Sequence, residues 1–139
     1  MDTASLVIEK KEYILLKRYI NLSTYQKDRT LLKNLERLAN ELETAHIYSE
    51  DKMPTNVVRI NSIVTITSID NHQETFQLVL PVEDNADQGK VSLFTNLGTA
   101  LIGRTEGNEV IIDSITNNKT FRITTVIQRH KNIGLDMVL

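Results

Sequence analysis

The chain has 139 residues, no cysteine, and 16 basic against 18 acidic side chains. That length suits one domain, or a small domain with a helical appendage, while the missing cysteines exclude a disulfide framework and any thiolate metal site. The balanced charge and the 5% aromatic content argue against direct nucleic-acid binding. With no signal peptide pattern and no apolar run near the roughly 18 residues of a membrane span, a soluble, cytoplasmic protein is expected.

The first predicted element is a helix from about Lys10 to Leu22. Tyr13, Leu16 and Ile20 lie along one stripe of it, at the spacing of an amphipathic helix. The polar residues 23–27 then interrupt the pattern and predict a turn. Two amphipathic helices joined by a short polar link are expected to fold back as an antiparallel hairpin.

The second predicted helix carries a leucine seam. It is expected to begin near Asp28, a residue suited to the N-cap, and to end before Pro54. Its apolar residues step by four and three, as in a coiled coil: Leu31, Leu35, Leu38, Leu42 and Ala45. The polar residues between them, Asn34 and Glu41 included, are assigned to the solvated outer face. The seam is too short for an intermolecular coiled coil, so Leu35, Leu38 and Leu42 are expected to form the core of the hairpin itself, and the protein is expected to be a monomer.

From Pro54 the apolar pattern changes to a period of two, which is typical of strands. Residues 57–69 and 75–80 are rich in β-branched residues and predict two strands joined by a turn at 70–73. The acidic stretch 83–90 predicts an exposed loop.

The remaining pattern predicts a short strand, one short helix and a final hairpin. The strand covers 91–94, and the helix follows with Asn96 as its cap and Gly103 as its left-handed end. The hairpin is predicted from residues 109–113 and 120–129, with its turn at 117–119. The fold class is therefore α+β. A helical hairpin over 1–52 precedes a mostly antiparallel β domain over 53–139.

The β half contains motifs that resemble a known family. Four motifs carry this resemblance: Leu78-Val79-Leu80-Pro81-Val82-Glu83-Asp84, Gly89-Lys90-Val91-Ser92, Leu97-Gly98-Thr99-Ala100-Leu101-Ile102-Gly103 and Gly107-Asn108-Glu109-Val110. Together they resemble the C-terminal domain signature of the Gre transcript-cleavage factors. The segment 53–62 is similar to the branch of that family typified by the nucleoside diphosphate kinase regulator Rnk.

The resemblance implies an FKBP-like C-terminal domain that docks on the rim of the RNA polymerase secondary channel, and a coiled-coil hairpin that enters the channel. It places docking contacts on the residues that follow the short strand, which we call the docking loop: Thr95, Asn96, Leu97 and Gly98. The family usually has proline where this chain has Asn96. A hydrogen-bonding cap in place of a rigid ring is expected to change docking affinity without changing the fold.

In cleavage-competent Gre factors, two acidic side chains at the hairpin tip help to hold a magnesium ion. The predicted tip here comprises Tyr25, Gln26, Lys27, Asp28 and Arg29. Its single carboxylate stands between two cations and is better explained as a helix cap than as a magnesium ligand. The hairpin is also shorter than a Gre hairpin, so we expect no stimulation of cleavage and no enzymatic activity.

No cofactor or metal is expected, because the histidines 46, 72 and 130 are scattered and no cysteine accompanies them. Two alternatives to a non-cleaving polymerase regulator remain open. One is a cleavage factor that uses Asp28 with a second, unrecognised acid. The other is an interaction module with a different protein partner.

Overall fold

A computed structural model describes residues 5–23, 27–113 and 118–129. The described chain forms three α-helices, a two-stranded sheet and a five-stranded sheet. The helices are α1 (Lys10–Leu22), α2 (Arg29–Leu42) and α3 (Asn96–Leu101). The strands are β1 (Val7–Glu9), β2 (His46–Tyr48), β3 (Ile63–Ser68), β4 (Gln73–Val79), β5 (Lys90–Ser92), β6 (Glu109–Asp113) and β7 (Asn118–Ile127). None of the described helices is both long and apolar enough to cross a bilayer.

The N-terminal helices begin where the sequence predicts. Helix α1 has the predicted bounds, and the Glu9 carboxylate accepts hydrogen bonds from the backbone N–H groups of Lys11 and Glu12 at its start. Asp28 caps α2, since its Oδ1 accepts a hydrogen bond from the Leu31 N–H group at 3.1 Å. Both helices thus use a side-chain acceptor for N–H groups that have no partner inside the helix.

The second helix ends before Pro54, as predicted, but it stops short of Ala45, the last residue of the predicted seam. Helix α2 ends at Leu42, about a dozen residues before Pro54, and a turn leads into β2. The backbone N–H of His46 donates to the Leu6 carbonyl at 2.8 Å, so β2 pairs with β1 in parallel register. This non-local pairing competes with continuation of the helix, and helical spacing alone does not reveal it.

The larger sheet has the strand order β5-β4-β3-β7-β6. Its pairs are antiparallel except for β4 with β5, which confirms the mostly antiparallel prediction. The first strand begins at Ile63 and not at Val57, because Asn61 has a φ of 78° and breaks the extended backbone. The predicted turn at 117–119 lies too late in the chain. Asn118 pairs with Asp113 and Lys119 with Ile112, while Asn117 lies outside the described residues.

One hydrophobic core joins the helices to the sheet. Leu35, Leu38 and Leu42 of α2 are buried in the same cluster as Val64 and Ile123 of the sheet. Leu31 and Ala45, the ends of the predicted seam, are partly buried against this cluster. The seam therefore packs on the sheet domain as well as on α1. Residues from both sides of the predicted boundary at 52/53 share this core.

Candidate docking site

The docking loop forms the start of α3, and Thr95 caps that helix. The Thr95 Oγ1 atom accepts a hydrogen bond from the Gly98 N–H group at 3.0 Å and donates one to the Ser92 carbonyl at 2.9 Å. The predicted cap, Asn96, is wrong by one residue. Thr95 keeps an extended backbone (φ −119°, ψ 169°), whereas Asn96 is the first residue of the helix. The cap position requires that extended conformation. Gly103 has a φ of 79°, which confirms its predicted left-handed conformation.

Gly98 brings α3 close to the preceding strand. A Cβ atom at this position would lie 2.5 Å from the Ser92 carbonyl oxygen and closer still to that of Leu93. Both obstacles are backbone atoms, which cannot rotate away as a side chain can. The absence of a side chain at Gly98 is therefore required by the packing of α3 on β5.

We expect Gly98→Ala to lower the free energy of unfolding by about 1 to 3 kcal/mol or more, since an added methyl group in a packed site forces the backbone to move. Chemical denaturation of the variant measures this loss. Gly89→Ala is the comparison, because a Cβ there meets nothing within 4 Å and only the positive φ of 69° is strained. A loss no greater for Gly98→Ala than for Gly89→Ala would contradict the packing role.

Helix α2 holds the docking loop through a hydrogen bond between two amides. Asn34 Nδ2 donates to Asn96 Oδ1 at 2.9 Å. Asn34 is only 4% exposed, so its assignment to the solvated face of the helix is wrong. Helical periodicity groups Asn34 with other polar residues, but α3 covers that side of α2 in the folded chain.

A second polar contact joins α2 to the far end of α3. Glu41 accepts hydrogen bonds from Arg37 Nη1, at 2.9 Å, and from Arg104 Nη2. Arg104 is 8% exposed and follows the left-handed Gly103 that ends the helix. The assignment of Glu41 to the outer face is also wrong. Asn34 and Glu41, two turns apart on α2, thus contact the first residue of α3 and a residue just beyond its last turn.

Helix α1 also contacts the approach to the docking loop. The ring of Tyr19 stacks on the ring of Phe94, with 7° between the two planes. Phe94 is 5% exposed and directly precedes Thr95. Both N-terminal helices therefore support the segment that leads into α3.

The predicted hairpin tip is only partly described. Tyr25 and Gln26 lie outside the described residues, whereas Lys27, Asp28 and Arg29 are exposed at the start of α2. From Arg29 to Asn34, five residues later, the helix rises by only about 7.5 Å. Because Asn34 already contacts the docking loop, the start of α2 lies close to that loop.

The structure also contains a buried charge cluster that the sequence reasoning missed. The Arg59 guanidinium binds the Glu12 carboxylate, with Nε 2.7 Å from Oε2, and makes two hydrogen bonds of 2.7 and 2.8 Å to Glu50. Glu12 also accepts the Ile60 N–H at 3.0 Å. One signal was available in the sequence, since Glu12 lies four residues before Leu16 and hence on the buried stripe of α1.

The environment of this cluster shifts the pKa values of both Glu12 and Arg59. Burial raises the pKa of Glu12 above its ordinary value, although the charge of Arg59 and the Ile60 N–H oppose the rise. Burial works against the charge of Arg59 as well, but hydrogen bonds to Glu50 and Glu12 raise its pKa, so Arg59 stays protonated. The cluster joins α1 and the turn at Glu50–Lys52 to the segment before β3.

The described residues offer little for metal or small-molecule chemistry. No three histidine or acidic side chains converge on a possible metal position anywhere in residues 5–23, 27–113 and 118–129. His46 and His72 are exposed, and His130 lies outside the described residues. An open concavity of about 900 Å³ beside the β3–β4 turn is lined by polar residues such as Asp70 and Arg122 together with the apolar residues Ile69 and Phe121. None of the docking-loop residues lines it.

Comparison with known proteins identifies the family. A model of the family described as "Transcription elongation factor, GreA/GreB, C-term" matches residues 53–128, more than half of the chain. The chain belongs to the GreA/GreB family. The docking loop lies inside the matched region, while α1 and α2 lie outside it.

Similar proteins extend this match. GreA of Hyphomonas neptunium is 27% identical over 96 residues, which cover 68% of this chain and 61% of that protein. GreA of Chloroflexus aggregans is 35% identical over 79 residues, 56% of this chain and 50% of that protein. The matches thus span between half and about three-fifths of the length of these relatives.

One solved structure shows the same fold over most of the chain. The transcription elongation factor GreA/GreB from Nitrosomonas europaea superposes with a TM-score of 0.73 at 20% identity. The superposition covers 91% of this chain and 100% of that one. At 20% identity this likeness shows the fold alone.

Proposed function

We propose that this protein is a cytoplasmic regulator that binds RNA polymerase at the rim of the secondary channel and does not stimulate transcript cleavage. Within the GreA/GreB family, the segment 53–62 favours the Rnk branch. The family match over residues 53–128 supports the polymerase partner, because it includes all of the docking loop. The short N-terminal helices and the residues of the predicted tip support the absence of cleavage stimulation.

The position of the start of α2 supports the second part of the proposal, that the protein does not stimulate transcript cleavage. Asn34 of α2 contacts the docking loop, and only about 7.5 Å of helix axis separates it from Arg29. A protein docked through that loop would hold the start of α2 near the rim of the channel. Helices of 13 and 14 residues packed on the domain core have little length left to reach a distant active site.

The chemistry of the predicted tip supports the same conclusion. Magnesium prefers carboxylate and other oxygen ligands, and a second metal ion is what activates water for phosphodiester hydrolysis. Asp28 is the one acidic residue between Leu22 and Arg29, and its Oδ1 atom caps α2. Lys27 and Arg29 on either side further disfavour a cation there.

Binding to core RNA polymerase is the direct test of this function. We expect saturable binding with a dissociation constant at or below the micromolar range, measured by biolayer interferometry. Excess GreA should displace the protein. If excess GreA does not displace the protein, the two do not share a binding site, and the proposed position at the rim of the secondary channel is wrong. No binding at micromolar concentrations would contradict the proposal and leave the family fold with a different protein partner.

A cleavage assay separates the regulator from a cleavage factor. On stalled elongation complexes we expect neither the wild-type protein nor Asp28→Asn to raise the cleavage rate above background, while GreA raises it under the same conditions. Asparagine also caps helices, so the variant should keep its fold. Stimulation by the wild-type protein that Asp28→Asn abolishes would instead establish the alternative, in which Asp28 acts as a metal ligand.

A further inference from the structure

The hydrogen bond between Asn34 and Asn96 determines which chemical group the docking loop presents. Asn34 donates from Nδ2, so the Asn96 Oδ1 atom is the acceptor that faces inward. The other half of the same amide, Asn96 Nδ2, then faces away from Asn34. A side-chain amide has one acceptor and one donor group, and fixing one of them fixes the other.

We infer that Asn34 is a positioning residue, which orients the Asn96 amide so that the docking loop offers an N–H donor to a carboxylate on the polymerase surface. This inference rests on the proposed function. Asn34 is buried and cannot touch the partner, so it acts only through Asn96, which is half-buried at the surface.

The neighbouring charges favour an acidic partner. Lys33 is exposed beside Asn34, and Arg37 and Arg104 both contact the Glu41 carboxylate along the same side of α2. Arg37 Nη2 is buried without a hydrogen-bond partner in the part of the chain that the structure describes. Three cations therefore lie on or beside the side of α2 that contacts α3, and a carboxylate is complementary to their charge.

Two substitutions replace the outward-facing N–H donor at position 96 with an acceptor oxygen, while they keep the hydrogen bond between positions 34 and 96. In Asn34→Asp, the new carboxylate can only accept, so the Asn96 amide must turn its Nδ2 inward and present its oxygen. In Asn96→Asp, Asn34 still donates to one carboxylate oxygen, and the other oxygen replaces the outward donor. Asn40→Asp is the matched control, because it adds the same charge on the exposed face of the same helix.

The experiment measures the dissociation constant for core RNA polymerase and the melting temperature of each variant. We expect Asn34→Asp and Asn96→Asp each to raise the dissociation constant by about 10- to 100-fold, the range of a charge-assisted hydrogen bond. Asn40→Asp should stay within about twofold of the wild-type protein. Asn96→Asp should also bind more weakly than Asn96→Ala, since its carboxylate meets a like charge.

The outcomes separate this inference from the proposed function. Wild-type binding together with equal binding by Asn34→Asp would overturn the inference and leave the proposed function intact. Equal losses of affinity for core RNA polymerase in Asn96→Asp and Asn96→Ala would overturn the assignment of a carboxylate as the acceptor on the polymerase. Failure of the wild-type protein to bind would overturn both. Loss of binding in Asn34→Asp with an unchanged melting temperature would support the positioning role, since a purely structural residue would change both.

Discussion

Replacing Arg59 with methionine should lower the free energy of unfolding by about 3 to 5 kcal/mol, because the buried Glu12 carboxylate would lose its counter-ion. Arg59 is 6% exposed and Glu12 is 2% exposed, so water cannot replace the lost contact. Urea denaturation of Arg59→Met against the wild-type protein measures the change. A loss below about 1 kcal/mol would show that the cluster contributes little to folding.

Arg122→Met is the matched control for this substitution. Its guanidinium also pairs with a glutamate, Glu109 at 3.3 Å, but the two side chains are 61% and 55% exposed. Exposed ion pairs contribute between about 0 and 1 kcal/mol, because water and salt screen them. The two variants remove the same chemical group and differ in burial, so the difference between them reports the effect of burial.

The cost of Arg59→Met should also depend on pH. Burial already raises the pKa of Glu12 in the folded protein, and removal of Arg59 takes away the charge that opposes this rise. In the variant, the folded state therefore binds the Glu12 proton more tightly than the unfolded state. Its stability falls as the pH rises from the unfolded pKa through the folded pKa. The loss relative to the wild-type protein should accordingly be smaller near about pH 5 than near about pH 8.

Replacing Leu38 with alanine should cost about 2 to 5 kcal/mol, the range for truncation of a fully buried leucine. Leu38 is 0% exposed and belongs to the core cluster that includes sheet residues. Leu22→Ala is the control, because Leu22 ends α1 with 71% of its side chain exposed and should cost no more than about 0.5 kcal/mol.

The same denaturation experiments test whether the helices and the sheet unfold together. The sequence contains no tryptophan, and its four tyrosines all lie in the N-terminal part: Tyr13, Tyr19, Tyr25 and Tyr48. Tyrosine fluorescence therefore follows the N-terminal part, while far-UV circular dichroism follows the whole chain. A shared core predicts coincident transitions for Leu38→Ala and for the wild-type protein. Separate transitions would contradict the shared core.

The sequence predicted the local elements well wherever the pattern was regular. The apolar stripe of α1, with its spacings of three and four residues, predicted the bounds from Lys10 to Leu22, and Asp28 was recognised as the cap of α2. The alternation of apolar residues gave the hairpin of β3 and β4. Local patterns succeed here because caps and periodicity depend on neighbours within a few residues. The antiparallel arrangement of the two helices and the FKBP-like description stay predictions.

The prediction of the site was less complete. The docking loop and the family were named from motifs between residues 78 and 110, and the family match over 53–128 confirms the family. The docking role of Thr95 to Gly98 and the roles of the tip residues remain predictions. Thr95 and Gly98 have clear tasks in the fold, so of the four residues, Asn96 and Leu97 are the better candidates for contact with a partner.

The sequence by itself predicted the three helices, the strands of the larger sheet and the family, since each is encoded in short patterns of residue type, whereas the pairing of β1 with β2 was not predicted. Only the tertiary structure decided which polar residues meet. Asn34 and Asn96 are 62 positions apart, and Glu12 and Arg59 are 47 apart. Periodicity shows which residues share a face of a helix, but the packing of the whole chain determines what covers that face. That is why residues assigned to solvent, such as Asn34 and Glu41, lie between α2 and α3.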